Sequence, residues 1–148
     1  MAAVRQANVS WSGDLPSGKG NVSAASSGAF KQLEVSWPRR SEPDAQGKTS
    51  PEELLAASHA SCYAMALSHT LNQAGTPPER LQVSAIVSVE STEGGIKVGE
   101  SRLEVRGKVP GLDQAGFQKA AEEAKRGCPV SKALAGIPQI TLDAKLES

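Results

Sequence analysis

From Leu54 to Pro78 the chain carries no Asp, Glu, Lys or Arg, and this uncharged run constrains the fold more than any other feature. It is introduced by Ser50-Pro51-Glu52-Glu53, which reads as a helix start. Ser50 is the N-cap, Pro51 takes the first helical position, and Glu53 is placed to close a capping box. The spacing predicts a helix to about Gln73, ended by Gly75 and Pro77-Pro78. Ser58, His59, Ser61, Ser68, His69, Thr70, Asn72 and Gln73 are too many polar groups for bilayer hydrocarbon, which excludes a membrane span. Leu54, Leu55, Ala56, Ala57, Ala60, Met65, Ala66, Leu67 and Leu71 make the helix apolar on more than one face. A helix of that kind is wrapped by other elements, so a central helix is expected.

A chain of 148 residues suggests one domain, 1–148, with no internal boundary and enough length to bury a core without disulfides. With 16 basic and 16 acidic side chains interspersed, it lacks the basic stripe that nucleic acid or an anionic membrane surface demands. Small molecules or proteins are the expected partners. Met1 to Gln6 shows no secretory h-region, which places the protein in the cytoplasm.

The remaining pattern is that of an α+β fold. Arg5, Ala7, Val9 and Trp11 alternate with Gln6, Asn8 and Ser10 as in a half-buried strand, followed by a turn over 13–20. Weaker strand signals at 21–24 and 30–37 complete an N-terminal meander, and the polar stretch 37–50 reads as a linker. Leu81 to Val89 alternate, and Gly94-Gly95 offers a hairpin turn. One extra residue near Gly99 would pair Val87 with Leu103 and Ala85 with Val105, so a bulge is predicted around Gly99-Glu100. Asp113 caps a helix whose Phe117, Ala120, Ala121 and Ala124 share a face and which ends at Gly127. A short helix from Pro129 and a strand over 140–146 close the chain.

Several residues have the chemistry to form a site. Gly13 to Gly20 nearly matches a phosphate-binding P-loop, but Gly20 stands where Ser or Thr would reach magnesium and no amphipathic helix follows, so a plain turn is the better reading. Cys128 lies between a helix end and a helix start, where backbone N–H groups favour a thiolate. Cys62 is mid-helix, and on position alone reads as a small buried hydrophobe that needs an outside cation or donor to lower its pKa. Arg39-Arg40 offers that cation, with solvated loop arginines as the plainer reading. Glu52 favours the positive end of its helix and, with Glu53 serving the cap, has a carboxylate free to orient a guanidinium. At ~1.5 Å per residue, Glu52 and Cys62 lie about 15 Å apart along a straight helix, so a shared site would call for a second subunit. His59 is one turn before Cys62, but a His59/Cys62/Cys128 metal site has no fourth ligand at suitable spacing, and a satisfied core or interface histidine is preferred.

Four motifs together resemble the OsmC/Ohr peroxiredoxin-like hydroperoxide reductases over nearly the whole chain. They are Trp11-Ser12-Gly13-Asp14 with Gly18-Lys19-Gly20; Thr49-Ser50-Pro51-Glu52-Glu53-Leu54; Ala57 through Ser68 around His59 and Cys62; and Gly127-Cys128-Pro129-Val130-Ser131. The His59 context is similar to the OsmC branch. The resemblance implies an OsmC-like fold, with antiparallel sheets wrapped around a long central helix in an intertwined homodimer and sites at the subunit interface. It implies Cys62 as the peroxidatic nucleophile and Cys128 as the resolving thiol, reversing the ranking by local position. It also implies an arginine beside the thiolate, best matched by Arg40 with Arg39 as the alternative, and a glutamate steering it, matched by Glu52. Tyr63 stands where Phe is usual. The implied substrates are organic hydroperoxides, with hydrogen peroxide used more weakly, and the implied reductant is a dithiol, typically lipoylated protein. No metal or flavin is required. The other class considered is a noncatalytic binding module on the same fold, its cysteines inert.

Overall fold

The computed structural model describes residues 2–148, which fall into two compact units, one ending at Leu54 and the other spanning Leu55–Ser148. In the first unit, β1 (Ala7–Ser12), β2 (Lys19–Ala24) and β3 (Leu33–Val35) form an antiparallel meander in that order. The β1–β2 connection is a tight turn. The Gly18 N–H donates to the Asp14 carbonyl at 2.8 Å, and a Cβ on Gly18 would lie 2.2 Å from that same oxygen, so only glycine fits. The run resembling a P-loop is therefore a hairpin turn leading into a strand, as the plainer reading expected.

Alternation located β1, but its expected half-burial does not occur: every residue from Ala7 to Ser12 is exposed within this chain. The apolar side chains of this sheet line an open groove instead, described below. The stretch expected as a linker also contains a helix, α1 (Trp37–Ser41). Ser36 caps it by accepting from the Arg39 N–H, and Pro38 supplies a preset φ in its first turn.

Helix α2 (Pro51–Gln73) has the predicted bounds. Its cap is half of a capping box: the Glu53 N–H donates to Ser50 Oγ at 3.1 Å, while the Glu53 carboxylate accepts from the Thr49 hydroxyl at 2.7 Å. At the other end Gly75 adopts φ +80°. Its N–H donates to the Asn72 carbonyl and that of Thr76 to the Leu71 carbonyl, the paired bonds of a Schellman motif. His59, Tyr63, Leu67 and Leu71, spaced four apart, are completely buried, whereas Met65 is 68% exposed. In this chain the helix is thus covered on one face and not wrapped all round.

The second unit contains β4 (Arg80–Thr92), β5 (Gly95–Lys108), α3 (Gln114–Gly127), α4 (Pro129–Ala133) and β6 (Gln139–Leu146). Its sheet has the order β4-β5-β6. β4 and β5 are antiparallel, but β6 runs parallel to β5, because α3 and α4 carry the chain back across the sheet before β6 begins. One of the expected antiparallel pairings is therefore parallel.

The bulge lies where it was predicted: Ser88 opposes Glu100 and Val89 opposes Val98, leaving Gly99 as the extra residue. The register differs, with Val87 opposite Ser101 and Ala85 opposite Leu103. The turn centres on Glu93-Gly94 and pairs Thr92 with Gly95, one residue earlier than Gly94-Gly95. That displaces the β5 partners by two, which preserves the face each side chain occupies. Leu103 and Val105 consequently still join Tyr63, Leu67, Leu71, Phe117, Ala121 and Ala124 in one core.

Candidate functional site

Cys128 caps both ends of a helix junction. Its N–H closes α3 by donating to the Ala124 carbonyl at 2.8 Å, and the same residue is the N-cap of α4, with Pro129 following. Its side chain is completely buried, and Cys62, partly buried on α2, is close enough to shift its pKa. Both are free thiols.

The two sulfurs have opposed environments. Burial pushes the Cys62 thiol up, and its hydrogen bond to Cys128 pushes the same way against the Val130 N–H. Burial also opposes ionisation of Cys128, but is outweighed by the Ser131 N–H, the Ser131 hydroxyl, Cys62 and the Val130 N–H, so that thiol is lowered. Of the two thiols, Cys128 therefore has the environment that better favours a thiolate, and the groups that shift Cys62 include no cation.

His59 is held on both sides: Nδ1 is 2.7 Å from Ser101 Oγ and Nε2 is 2.8 Å from Ser131 Oγ. Burial lowers its pKa, so it is neutral near pH 7. It is the satisfied core histidine that was preferred over a metal ligand. Among the described residues, no group of three or more His, Cys, Asp or Glu is placed to hold a metal ion. Neither serine was recognised from the sequence. Ser131 follows Cys128 by three residues, the spacing at which an N-cap side chain meets N3, and that signal was available. Ser101 lies on β5 and carries no local signal.

The other cluster lies in the first unit. Arg40 Nη2 donates to Glu52 Oε1 at 2.7 Å, and its Nε lies 3.0 and 3.1 Å from the two carboxylate oxygens. The Arg40 guanidinium also lies 5.9 Å from the Trp37 ring centre, a cation–π contact. Arg39 points elsewhere, to the Asp44 carbonyl at 3.0 Å and the Glu42 carboxylate at 3.2 Å. Of the two arginines, Arg40 is thus the one oriented by Glu52. It borders an apolar groove of about 360 Å³ lined by Val9, Trp11, Leu15, Val35, Trp37 and Leu54 among others.

Comparison with known proteins adds a family to this geometry. The family model described as OsmC-like protein matches residues 43–143. Peroxiredoxin OsmC of Escherichia coli K12 is 37% identical over 148 residues, covering 100% of both chains. The organic hydroperoxide resistance protein of Xanthomonas axonopodis pv. citri is 30% identical over 80% of this chain and 82% of its own. Among solved structures, an organic hydroperoxide resistance protein OsmC from Legionella pneumophila superposes with a TM-score of 0.71 at 25% identity, covering 99% of this chain and 100% of the other.

Proposed function

The chain belongs to the OsmC-like proteins, and we propose how its residues perform the peroxidase chemistry of a peroxiredoxin-like hydroperoxide reductase. The observation that carries the reading is the pair of free thiols Cys62, on α2, and Cys128, at the α3–α4 junction, which are near enough for each to shift the other's pKa. Cys62 as thiolate attacks the terminal peroxide oxygen. The O–O bond breaks, an alcohol or water leaves, and Cys62 is oxidised to a sulfenic acid. Cys128 then attacks that sulfur; the S–O bond breaks, water leaves and a disulfide forms. A dithiol, in our reading a lipoylated protein, reduces it. A reducing cytoplasm suits a disulfide that is transient rather than structural.

Arg40, held by Glu52, supplies the positive charge that lowers the Cys62 thiol and polarises the peroxide. We place that interaction across the interface of a homodimer, with the guanidinium from one copy serving the sulfur of the other. Two facts support this: Cys62 lacks a stabilising cation in its own cluster, and Met65, Val9 and Trp11 are large apolar side chains left exposed by the single chain. The hydrocarbon walls of the groove beside Arg40 suit an organic hydroperoxide, whose tail is apolar and whose head is polar, better than hydrogen peroxide.

The test is steady-state reduction of cumene, fatty-acid and hydrogen peroxides with a lipoyl donor, comparing the native chain with Cys62→Ser. The variant should have no turnover, and the organic substrates should be preferred. Unchanged peroxidase rates in Cys62→Ser would remove Cys62 as nucleophile, and an unreactive native chain would leave a noncatalytic module.

A further inference from the structure

His59 takes a place in the buried stripe of α2 that Leu67 and Leu71 fill with hydrocarbon. A polar ring there is costly unless both nitrogens are bonded. Both are: Nδ1 lies 2.7 Å from Ser101 Oγ on β5, and Nε2 lies 2.8 Å from Ser131 Oγ on α4. One hydroxyl donates to the bare nitrogen and the other accepts from the ring N–H, so a neutral imidazole satisfies the row in either tautomer.

The bond to Ser131 joins the two segments that carry the thiols. His59 stands three residues before Cys62 on α2, and Ser131 stands three residues after Cys128, the N-cap of α4. Cys62 and Val130 are both partly buried and pack against the core to which Cys128 belongs. Helix α4 is five residues long, too short to be stable by itself. Its buried residue is Ser131, whereas Val130 is half-buried and Pro129, Lys132 and Ala133 are exposed. Cys128 begins this helix, its carbonyl accepting from the Lys132 N–H at 3.0 Å. An apolar contact at Ser131 would fill space without fixing direction, whereas a hydrogen bond weakens steeply when its angle is lost.

We propose that His59 is a positioning residue for the disulfide-forming step: its bond to Ser131 holds α4 against α2, so that Cys128 stands ready to meet Cys62. This rests on the peroxidase reading, in which Cys62 becomes a sulfenic acid. The Cys128 sulfur attacks the Cys62 sulfur; the S–S bond forms, the S–O bond breaks, and the Cys128 proton leaves with the departing oxygen as water. Cys128 is oxidised and the sulfenic acid is reduced. His59 keeps its neutral form throughout and acts through Ser131, by fixing where α4 begins. That raises the effective concentration of one thiol at the other.

Glutathione buffers measure this concentration without any peroxide. The reduced protein is equilibrated with mixtures of oxidised and reduced glutathione. The two cysteines give up their protons and two electrons to the glutathione disulfide, which becomes two thiols, and the disulfide fraction is read by mass spectrometry after acid quenching and alkylation. Ser131→Ala should lower the equilibrium constant about tenfold, the factor one hydrogen bond is worth. Ser101→Ala takes a bond of the same kind from the same ring but leaves α4 tied, and its constant should stay close to the native one. A merely structural role would lower both alike. His59→Leu combined with Ser101→Ala and Ser131→Ala removes the whole polar row and leaves no member of it unpaired, so it serves if Ser131→Ala does not fold, and it should show the same fall. A native constant in folded Ser131→Ala or in the triple variant, or equal falls in the two single serine variants, would overturn positioning by His59 and leave the peroxidase reading in place. A native chain that forms the disulfide with glutathione but not with cumene hydroperoxide would overturn the peroxidase reading, and the role of His59 in catalysis with it.

Discussion

Arg40 and Glu52 meet through a forked ion pair, with Nη2–Oε1 at 2.7 Å and Nε shared between both carboxylate oxygens. The fork sets the plane of the guanidinium as well as its position, which a single contact does not do. Glu52 can supply it because it occupies the first turn of α2, where a carboxylate is favoured by the helix N-terminus, and because Glu53 takes the capping contacts.

Replacing Glu52 by Gln should therefore act on catalysis more than on folding. The expected outcome is a fall of about ten- to a hundredfold in kcat/KM for an organic hydroperoxide, the scale of loss when a reacting group is misplaced by about an ångström. Arg40 is partly exposed, so the stability cost should stay near ~1 kcal/mol. Peroxidase kinetics beside a urea unfolding curve separate the two; an unchanged kcat/KM would show that orientation by Glu52 is dispensable.

Burial of His59 makes folding stability depend on pH. Its pKa is held below the ordinary 6.5, so at mildly acidic pH the unfolded chain binds a proton that the folded chain refuses. The contribution of neutral His59 is complete above pH 6.5 and is lost as pH falls toward the lowered folded value. Urea midpoints measured downward from pH 7.5 should drop more steeply for the native chain than for His59→Gln. Parallel curves would mean that the imidazole is not what resists protonation.

Gly107 tests how tightly β5 meets α3. A Cβ there would lie 2.5 Å from the end of the Phe117 ring, in a core where that ring is completely buried. Gly107→Ala should cost about 1–3 kcal/mol through overpacking, read as a lower urea midpoint with an unchanged slope. Gly99→Ala meets only the Glu90 side chain, a flexible group, and should cost less.

Tyr63 uses its hydroxyl, donating to the Ala121 carbonyl at 2.9 Å from a completely buried position. Burial, with the Glu122 charge adding to it, raises the phenol well above its ordinary value, so it stays protonated and remains a donor. Tyr63→Phe should lower stability by ~1 kcal/mol and leave the thiols reactive. Equal midpoints for the two proteins would show that this bond adds no net stability.

Much of this organisation could be read from local signals. The ends of α2 followed from Ser50, Pro51, Gly75 and the missing charges; the bulge at Gly99 and the apolar face of α3 followed from periodicity. Each depends on residues a few positions apart, and the backbone there answers to its own neighbours. The misplacement of the hairpin turn has the same origin in reverse: Glu93-Gly94 and Gly94-Gly95 are both acceptable turn centres, and only pairing along the whole of β4 and β5 distinguishes them.

The sequence by itself determined the helix caps, the strand alternation, the two cysteines at their respective helix positions and the motifs that identify the family. Tertiary structure decided what those residues meet. It joined Arg40 rather than Arg39 to Glu52, brought Cys62 to Cys128, and placed Ser101 from β5 against the ring of His59. Those partners are separated by up to dozens of residues along the chain, so their meeting depends on the packing of whole elements and leaves no mark in local spacing. The same packing set the charge preference of each sulfur, because burial and oriented N–H groups act through space.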